Sequence, residues 1–304
     1  MSEGDYLDLH IHGAFGVDVL TASAAEMDRL ALGLLAGGVS GFLPTLVPQP
    51  LDELAATVSR LSAWMRSRRP DDGRGAMPLG IHFEGPFVSR GRCGALHSAD
   101  FLDGTDVRAL GAFFEIAGGA PGRGMTTLAP EIPRGIEVVK EFVKRGFVVS
   151  IGHTEADAGA LDAALAAGAR HMTHFGNAMK PLHHRDVGPI GWGLITDGVT
   201  VDVIADGRHL SKEMLRLVLK AKGENRVALI SDAMPAAGLA DGDYAVWGET
   251  LTVKDGAARN ARGALAGSTA LLDDCVKGMM SAGVPADDAA RMATDVPRRV
   301  LAAG

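Results

Sequence analysis

Cysteine is nearly missing. Cys93 and Cys275 are the only two in 304 residues. That excludes a disulfide-stapled scaffold and fits a reducing compartment, so a cytoplasmic location is expected. No stretch approaches the roughly 18–20 consecutive apolar residues that span a bilayer. The opening MSEGDYLDLHIHG carries no apolar signal core. No basic tract occurs either: 30 Lys and Arg face 37 Asp and Glu, a net charge of −7. Nucleic acid and membrane surfaces are therefore not expected as partners, and the mild acidity serves solubility. Neither an internal repeat nor a linker divides the chain. Residues 1–304 read as one domain, long enough for a (β/α)8 barrel of about 250 residues with a small appendage.

What is present is rhythm. Apolar runs at 6–11, 39–46, 79–83, 125–129, 147–151, 171–175, 199–205 and 227–231 read as strands. Helical spacing fills 24–36, 52–68, 106–118, 137–145, 155–167 and 212–222. Strand–helix alternation of this kind predicts an α/β fold with a parallel sheet. The stretch 147–179 is typical: a strand, Thr154 and Asp157 reading as a helix start, an Ala-rich helix, Gly168 as its stop, and a second strand. The rhythm breaks at 244–265, YAVWGETLTVKDGAARNARGAL, which alternates around Asp255-Gly256 and predicts a small β-hairpin insert.

The candidate polar residues fall at or just past strand C-termini, the active-site face of a (β/α)8 barrel. Glu84, His153 and His174 end strands three, five and six. Three protein ligands with a position left for water is the common catalytic metal arrangement. Imidazole and carboxylate suit zinc, iron, manganese or cobalt without choosing among them. Each residue alone also reads as a hydrogen-bonded surface group. His10 and His12 share one face of the first strand, either as ligands of a second ion bridged by Glu84 or as support for the first. Asp232 ends strand eight, as a proton carrier facing the nucleophilic water or as a helix N-cap. Asn177, Ala178, Arg185 and His209 follow strands six and seven and suit an anionic substrate. Arg185 reads equally as a solvated loop charge, as do Lys180, Arg90, Arg92, His183 and His184.

The runs LDLHIHGAFGVDV, GIHFEGPF, SIGHTEA, THFGNAM, IADGRHL, ISDAMPAAGL and LAGSTALL together resemble the N-acetylglucosamine-6-phosphate deacetylases of the amidohydrolase superfamily. The resemblance implies a (β/α)8 barrel of the metal-dependent hydrolase type. It implies hydrolysis of an N-acetyl amide to an amino sugar phosphate and acetate, with one or two divalent ions. It implies that Glu84, His153 and His174 bind metal, that Asp232 is the acid–base, and that His97 touches substrate near the acetyl carbonyl. Asn177, Ala178 and His209 would hold the phosphate. Arg185 would reach the site of a second copy, in a homodimer. The chain departs from the family in three ways. The β-sandwich segments usually found before strand one and after the last helix have no counterpart here. Leu96 is extra between Gly94-Ala95 and His97, and Gly176 replaces a bulky residue. Two other readings are another amidohydrolase, acting on a different N-acyl or cyclic amide, and a non-catalytic sugar-phosphate binder. The first is disfavoured because MTTLAPE on strand four offers no Lys to bridge two metals. The second is disfavoured because the ligand set is intact.

Overall fold

A computed structural model describes residues 5–70 and 72–303; residues 1–4, 71 and 304 lie outside the described residues. The apolar runs form eight parallel strands: β1 (Tyr6–Ile11), β2 (Val39–Leu46), β3 (His82–Glu84), β4 (Met125–Leu128), β5 (Val148–Ile151), β6 (His171–Met172), β7 (Thr200–Val203) and β8 (Val227–Leu229). Their order in the sheet is their order in the chain. The seam between β8 and β1 is closed by single bonds. His10 O accepts from the Asp232 N–H at 3.0 Å, and Ala233 O from the His12 N–H at 2.8 Å. The buried Asp8 carboxylate accepts from the Ser231 hydroxyl at 2.5 Å and the Ser231 N–H at 3.2 Å. This is a (β/α)8 barrel, and its C-terminal mouth is where the loops gather.

The helices α1 (Ala24–Ala36), α2 (Leu51–Ser67), α3 (Val107–Gly118), α4 (Gly135–Lys144), α5 (Ala158–Ala167), α6 (Gly188–Ile195), α7 (Lys212–Lys222), α8 (Leu272–Ser281), α9 (Ala286–Ala293) and α10 (Asp295–Ala302) pack around it. In α2 the three-to-four spacing buries Leu54, Val58, Leu61 and Met65. Phe83, Phe113, Phe142 and Phe147 stack edge to face or tilted between β3 and helices α3 and α4, with centroids 5.3–6.1 Å apart. Below the mouth the interior is polar. The His82 Nε2 meets Thr127 Oγ1 at 2.8 Å, Thr127 meets Thr173 at 2.7 Å, and Thr173 meets Ser150 at 2.5 Å.

Between β8 and α8 lies a separate antiparallel sheet of β9 (Gly242–Val246), β10 (Glu249–Lys254) and β11 (Ala257–Arg259). Both of its turns are two residues long, Trp247-Gly248 and Asp255-Gly256, and all four residues have positive φ. That is the tight hairpin geometry that Asp-Gly favours. Val246, Leu251, Val253 and Ala258 form its own small core with Met234.

Several boundaries differ from the sequence expectation. Strand three begins at His82, three residues late, and strand six ends at Met172, before His174. Helix α5 starts at Ala158 because Asp157 is its N-cap, accepting from the Ala160 N–H at 2.9 Å. Thr154 does not cap it: its hydroxyl donates to Glu131 at 2.7 Å. Helix α6, GPIGWGLI, was not foreseen, since it is buried on nearly every side and has no polar face to set a period.

Candidate active site

Six strand C-termini converge on one site. Glu84 closes β3; His12, His153, His174, His209 and Asp232 follow β1, β5, β6, β7 and β8. His153, His174, Ala178 and Asp232 all have positive φ, 47°, 32°, 47° and 48°. Non-glycine residues rarely take that region, and strain of about 1–3 kcal/mol each persists only where the surroundings hold it. Here the surroundings do. The His174 N–H donates to the buried Asp202 carboxylate, itself 2.8 Å from the His171 ring. Asp232 is held between its N–H, donated to His10 O, and its carbonyl, which accepts from the Ser268 N–H at 2.7 Å.

Glu84 sits between two pairs of imidazoles. Its Oε1 lies 2.9 Å from His153 Nε2 and 3.0 Å from His174 Nε2, and those two nitrogens are 3.1 Å apart. Its Oε2 lies 3.7 Å from His10 Nε2 and 3.4 Å from His12 Nε2, also 3.1 Å apart. Asp232 Oδ1 is 3.3 Å from both His10 and His12. All six side chains are buried or nearly so.

The donor chemistry fits a cation. His153 Nδ1 faces Arg92 O at 2.8 Å and His12 Nδ1 faces Thr45 O at 3.1 Å. A carbonyl can only accept, so each Nδ1 carries its proton and each neutral ring leaves a bare Nε2 lone pair turned toward Glu84. Buried lone pairs facing one another and a carboxylate need positive charge between them. With protons alone the cluster takes that charge on its rings. Burial works against a charged His12, but Asp232 and Glu84 beside it push its pKa up to about 10. Burial likewise opposes a charged His174, and chiefly Glu84 pushes it up to about 9. Burial would raise Glu84, yet His10, His12 and His153 hold it well below the usual carboxylate range. Asp232 is lowered too, by His10 and His12 against its burial. A divalent ion held by each triad, Glu84–His153–His174 or His10–His12–Glu84, would take the place of those protons.

A cavity of about 390 Å³ opens above this cluster. His12, Glu84, His153, His174, Asn177, Ala178, His209 and Asp232 all line it. His209 is oriented by Asp206, which accepts from its Nδ1 at 2.8 Å and leaves Nε2 for a ligand. Among the described residues, none accepts from the Ala178 N–H. The structure does not bring His97 here. Leu96 occupies the cavity wall, and the half-exposed His97 lines a neighbouring cavity with its Nε2 3.8 Å from Glu249. Arg185 is also outside, in an exposed loop beside His184. Sequence reasoning missed Asp206, Asp202 and Trp247. The Asp-x-x-His spacing of 206–209 signals the first, while the other two have only long-range partners.

No protein-family model matches the chain. It is 37% identical over 273 residues to the N-acetylglucosamine-6-phosphate deacetylase of Bacillus subtilis, covering 90% of this chain and 68% of that one. It is 35% identical over 297 residues to the N-acetylgalactosamine-6-phosphate deacetylase of Escherichia coli O157:H7, covering 97% and 77%. Among solved structures, the Thermotoga maritima N-acetylglucosamine-6-phosphate deacetylase superposes with a TM-score of 0.88 at 32% identity, over 99% of this chain and 78% of that one. A variant of the Mycobacterium smegmatis enzyme, in complex with N-acetyl-D-glucosamine-6-phosphate, does so with 0.88 at 32% identity, over 98% and 77%. With the barrel, the buried imidazole pairs and these relatives all in agreement, the chain belongs to the N-acetylglucosamine-6-phosphate deacetylase family.

Proposed function

We propose that this chain hydrolyses the N-acetyl amide of N-acetylglucosamine-6-phosphate, or of a close amino sugar phosphate, to the amino sugar phosphate and acetate. The barrel and the 244–265 insert act as one catalytic unit. The observation that carries the reading is Glu84 joined to two imidazole pairs, with Asp232 at 3.3 Å from one of them, beneath a cavity. Glu84, His153 and His174 would hold one divalent ion, and His10 and His12 with the other oxygen of Glu84 a second. Zinc, iron, manganese and cobalt all suit these donors. Such an ion supplies Lewis-acid polarisation of the amide carbonyl and a water that ionises near neutral pH.

The protein's own groups move the proton and place the substrate. Asp232, ionised because His10 and His12 stabilise its charge, accepts a proton as water adds to the acetyl carbon. It returns that proton to the sugar nitrogen as the C–N bond breaks. Asn177, the Ala178 N–H and His209 grip the phosphate from the β6–β7 side of the mouth, and Arg185 of a second copy completes that grip. An inward turn of residues 93–100 on substrate binding would bring His97 to the acetyl carbonyl, the role that the family resemblance gives it. Unchanged kcat in His97→Asn would remove it from the scheme.

Acetate release from N-acetylglucosamine-6-phosphate, its galactose epimer and the unphosphorylated sugars, with each metal added in turn, tests the reading. Asp232→Asn should lower kcat by at least about a hundredfold with bound metal unchanged. A variant that kept its turnover would exclude Asp232 as the proton carrier.

A further inference from the structure

The wall of the candidate active site is thin on one side. Beyond it lies a second cavity of about 620 Å³, larger than the first at about 390 Å³. Three residues line both: Ala95, Leu96 and Trp247. The second cavity is built from segments after β1, β2 and β3, including Asp18, Leu20, Val47, Pro50 and His97, and from Pro235 and the β9–β10 hairpin after β8. The phosphate-binding set, Asn177, Ala178 and His209, comes instead from loops after β6 and β7, across the mouth. An acetamido group placed above the Glu84–Asp232 cluster, with its sugar phosphate toward His209, directs its acyl substituent away from β6 and β7. That is the side of the partition.

Trp247 carries two unfavourable features at once. It stands at the tip of the β9–β10 hairpin with φ at 53°, where a bulky side chain is an outlier. Its indole Nε1 is buried and finds no hydrogen-bond partner among the described residues. A buried unpaired donor is uncommon and costs stability. Nothing in hairpin geometry asks for tryptophan at such a position, where glycine or asparagine is favoured. The indole lies edge-on to the His12 ring, 5.1 Å between centroids, so the partition ends beside the candidate ligands. Trp247 also packs against both small hydrophobic clusters, that of the β9–β11 sheet and that of Val47, Val88, Leu96 and Phe101. Packing alone accounts for an apolar side chain here. It does not account for a ring that separates two cavities beside His12.

We propose that Trp247, with Ala95 and Leu96, is the wall that sets the length of N-acyl group the site accepts. It is a specificity-determining residue, and its removal joins the two cavities. The inference rests on the amide-hydrolase reading above. In the reaction concerned, water divides across the amide: hydroxyl to the acyl carbon, hydrogen to the sugar nitrogen. Only the tail on the acyl carbon differs between substrates.

The test compares kcat/KM for N-acetyl, N-propionyl and N-butyryl glucosamine-6-phosphate in the metal-loaded wild type, Trp247→Gly, Trp247→Phe and Leu96→Ala. Glycine relieves the backbone strain at position 247, and a cooperative thermal unfolding transition reports that each variant is folded. A hydrophobic pocket discriminates by about tenfold or more per methylene. The wild type should therefore favour acetyl over butyryl, two methylenes longer, by about a hundredfold or more. Trp247→Gly should shrink that ratio by about the same factor. Leu96→Ala, opening the wall from its other side, should shift the ratio the same way, and Trp247→Phe should keep the wild-type order. A wild-type ratio preserved in both opening variants would overturn the partition while leaving the deacetylase reading intact. A wild type that tolerates butyryl as well as acetyl would do the same. Absence of hydrolysis of any analogue by the wild type would instead overturn the reading beneath it.

Discussion

Asp206 accepts from the His209 Nδ1–H at 2.8 Å, from the Ser268 hydroxyl at 3.1 Å, and from the N–H groups of Arg208 and His209, both at 2.9 Å. Burial alone would raise its pKa; the His209 ring and the backbone donors outweigh that and hold it at about 2. A carboxylate lowered on folding stabilises the native state above its unfolded pKa and loses that contribution as pH falls through the folded one. The deficit of Asp206→Asn, measured by urea unfolding, should be about 2 kcal/mol and flat above pH ~4, shrinking between pH ~4 and ~2. A deficit still undiminished at the acid end would show that Asp206 acts through shape and not charge. Asp206 was within reach of the sequence, since Asp and His three apart after a strand form a local turn. Trp247 was not. Its significance lies in which two cavities it separates, and neither cavity is local.

Among the secondary elements, the strands were easier to read than their ends. Each strand is an apolar run, and burial on both faces makes such runs conspicuous. Their ends are set by side chains from elsewhere. Strand β6 stops at Met172 because Asp202 on β7 captures the His174 N–H and turns the chain. Helix α5 begins after Asp157 because Thr154 is committed to Glu131. The metal-ligand candidates were legible for the same reason as the strands: parallel strands deliver their C-termini to one face. His97 stands apart from the cluster in this structure: Gly94, Ala95 and Leu96 of its loop line the site cavity, while His97 lines the neighbouring one. The β8–β1 seam offers a test at this level. Ser231→Ala removes the hydroxyl that donates to the buried Asp8, leaving a partly unsatisfied carboxylate. The expected loss is about 1–3 kcal/mol by urea unfolding. A loss below about 0.5 kcal/mol would mean that the backbone bonds alone hold the seam.

For the molecule as a whole, no helix among the described residues is long and apolar enough to cross a membrane. Arg185, with the exposed Leu182 and Val187, lies on a loop apart from its own chain's cavity. The proposed sharing of Arg185 between two copies predicts complementation. Asp232→Asn and Arg185→Ala chains, each inactive alone, are unfolded and refolded together. Random pairing places half of the molecules in mixed dimers with one intact site of two, so activity should return to about a quarter of wild type. No recovery from the mixture would remove Arg185 from the shared site.

The seam has a consequence in time as well as in space. Asp8 and Ser231 are 223 residues apart, and their bond joins the first strand to the last. Contacts of such separation form late, because the intervening chain must be ordered first. His10 and His12 therefore meet Asp232 only when nearly the whole barrel exists. A ribosome-bound chain that has emerged through residue 174 already carries Glu84, His153 and His174, the proposed metal ligands, without Asp232, the proposed proton carrier. The barrel thus gathers its proposed ligands early and receives its proposed proton carrier last.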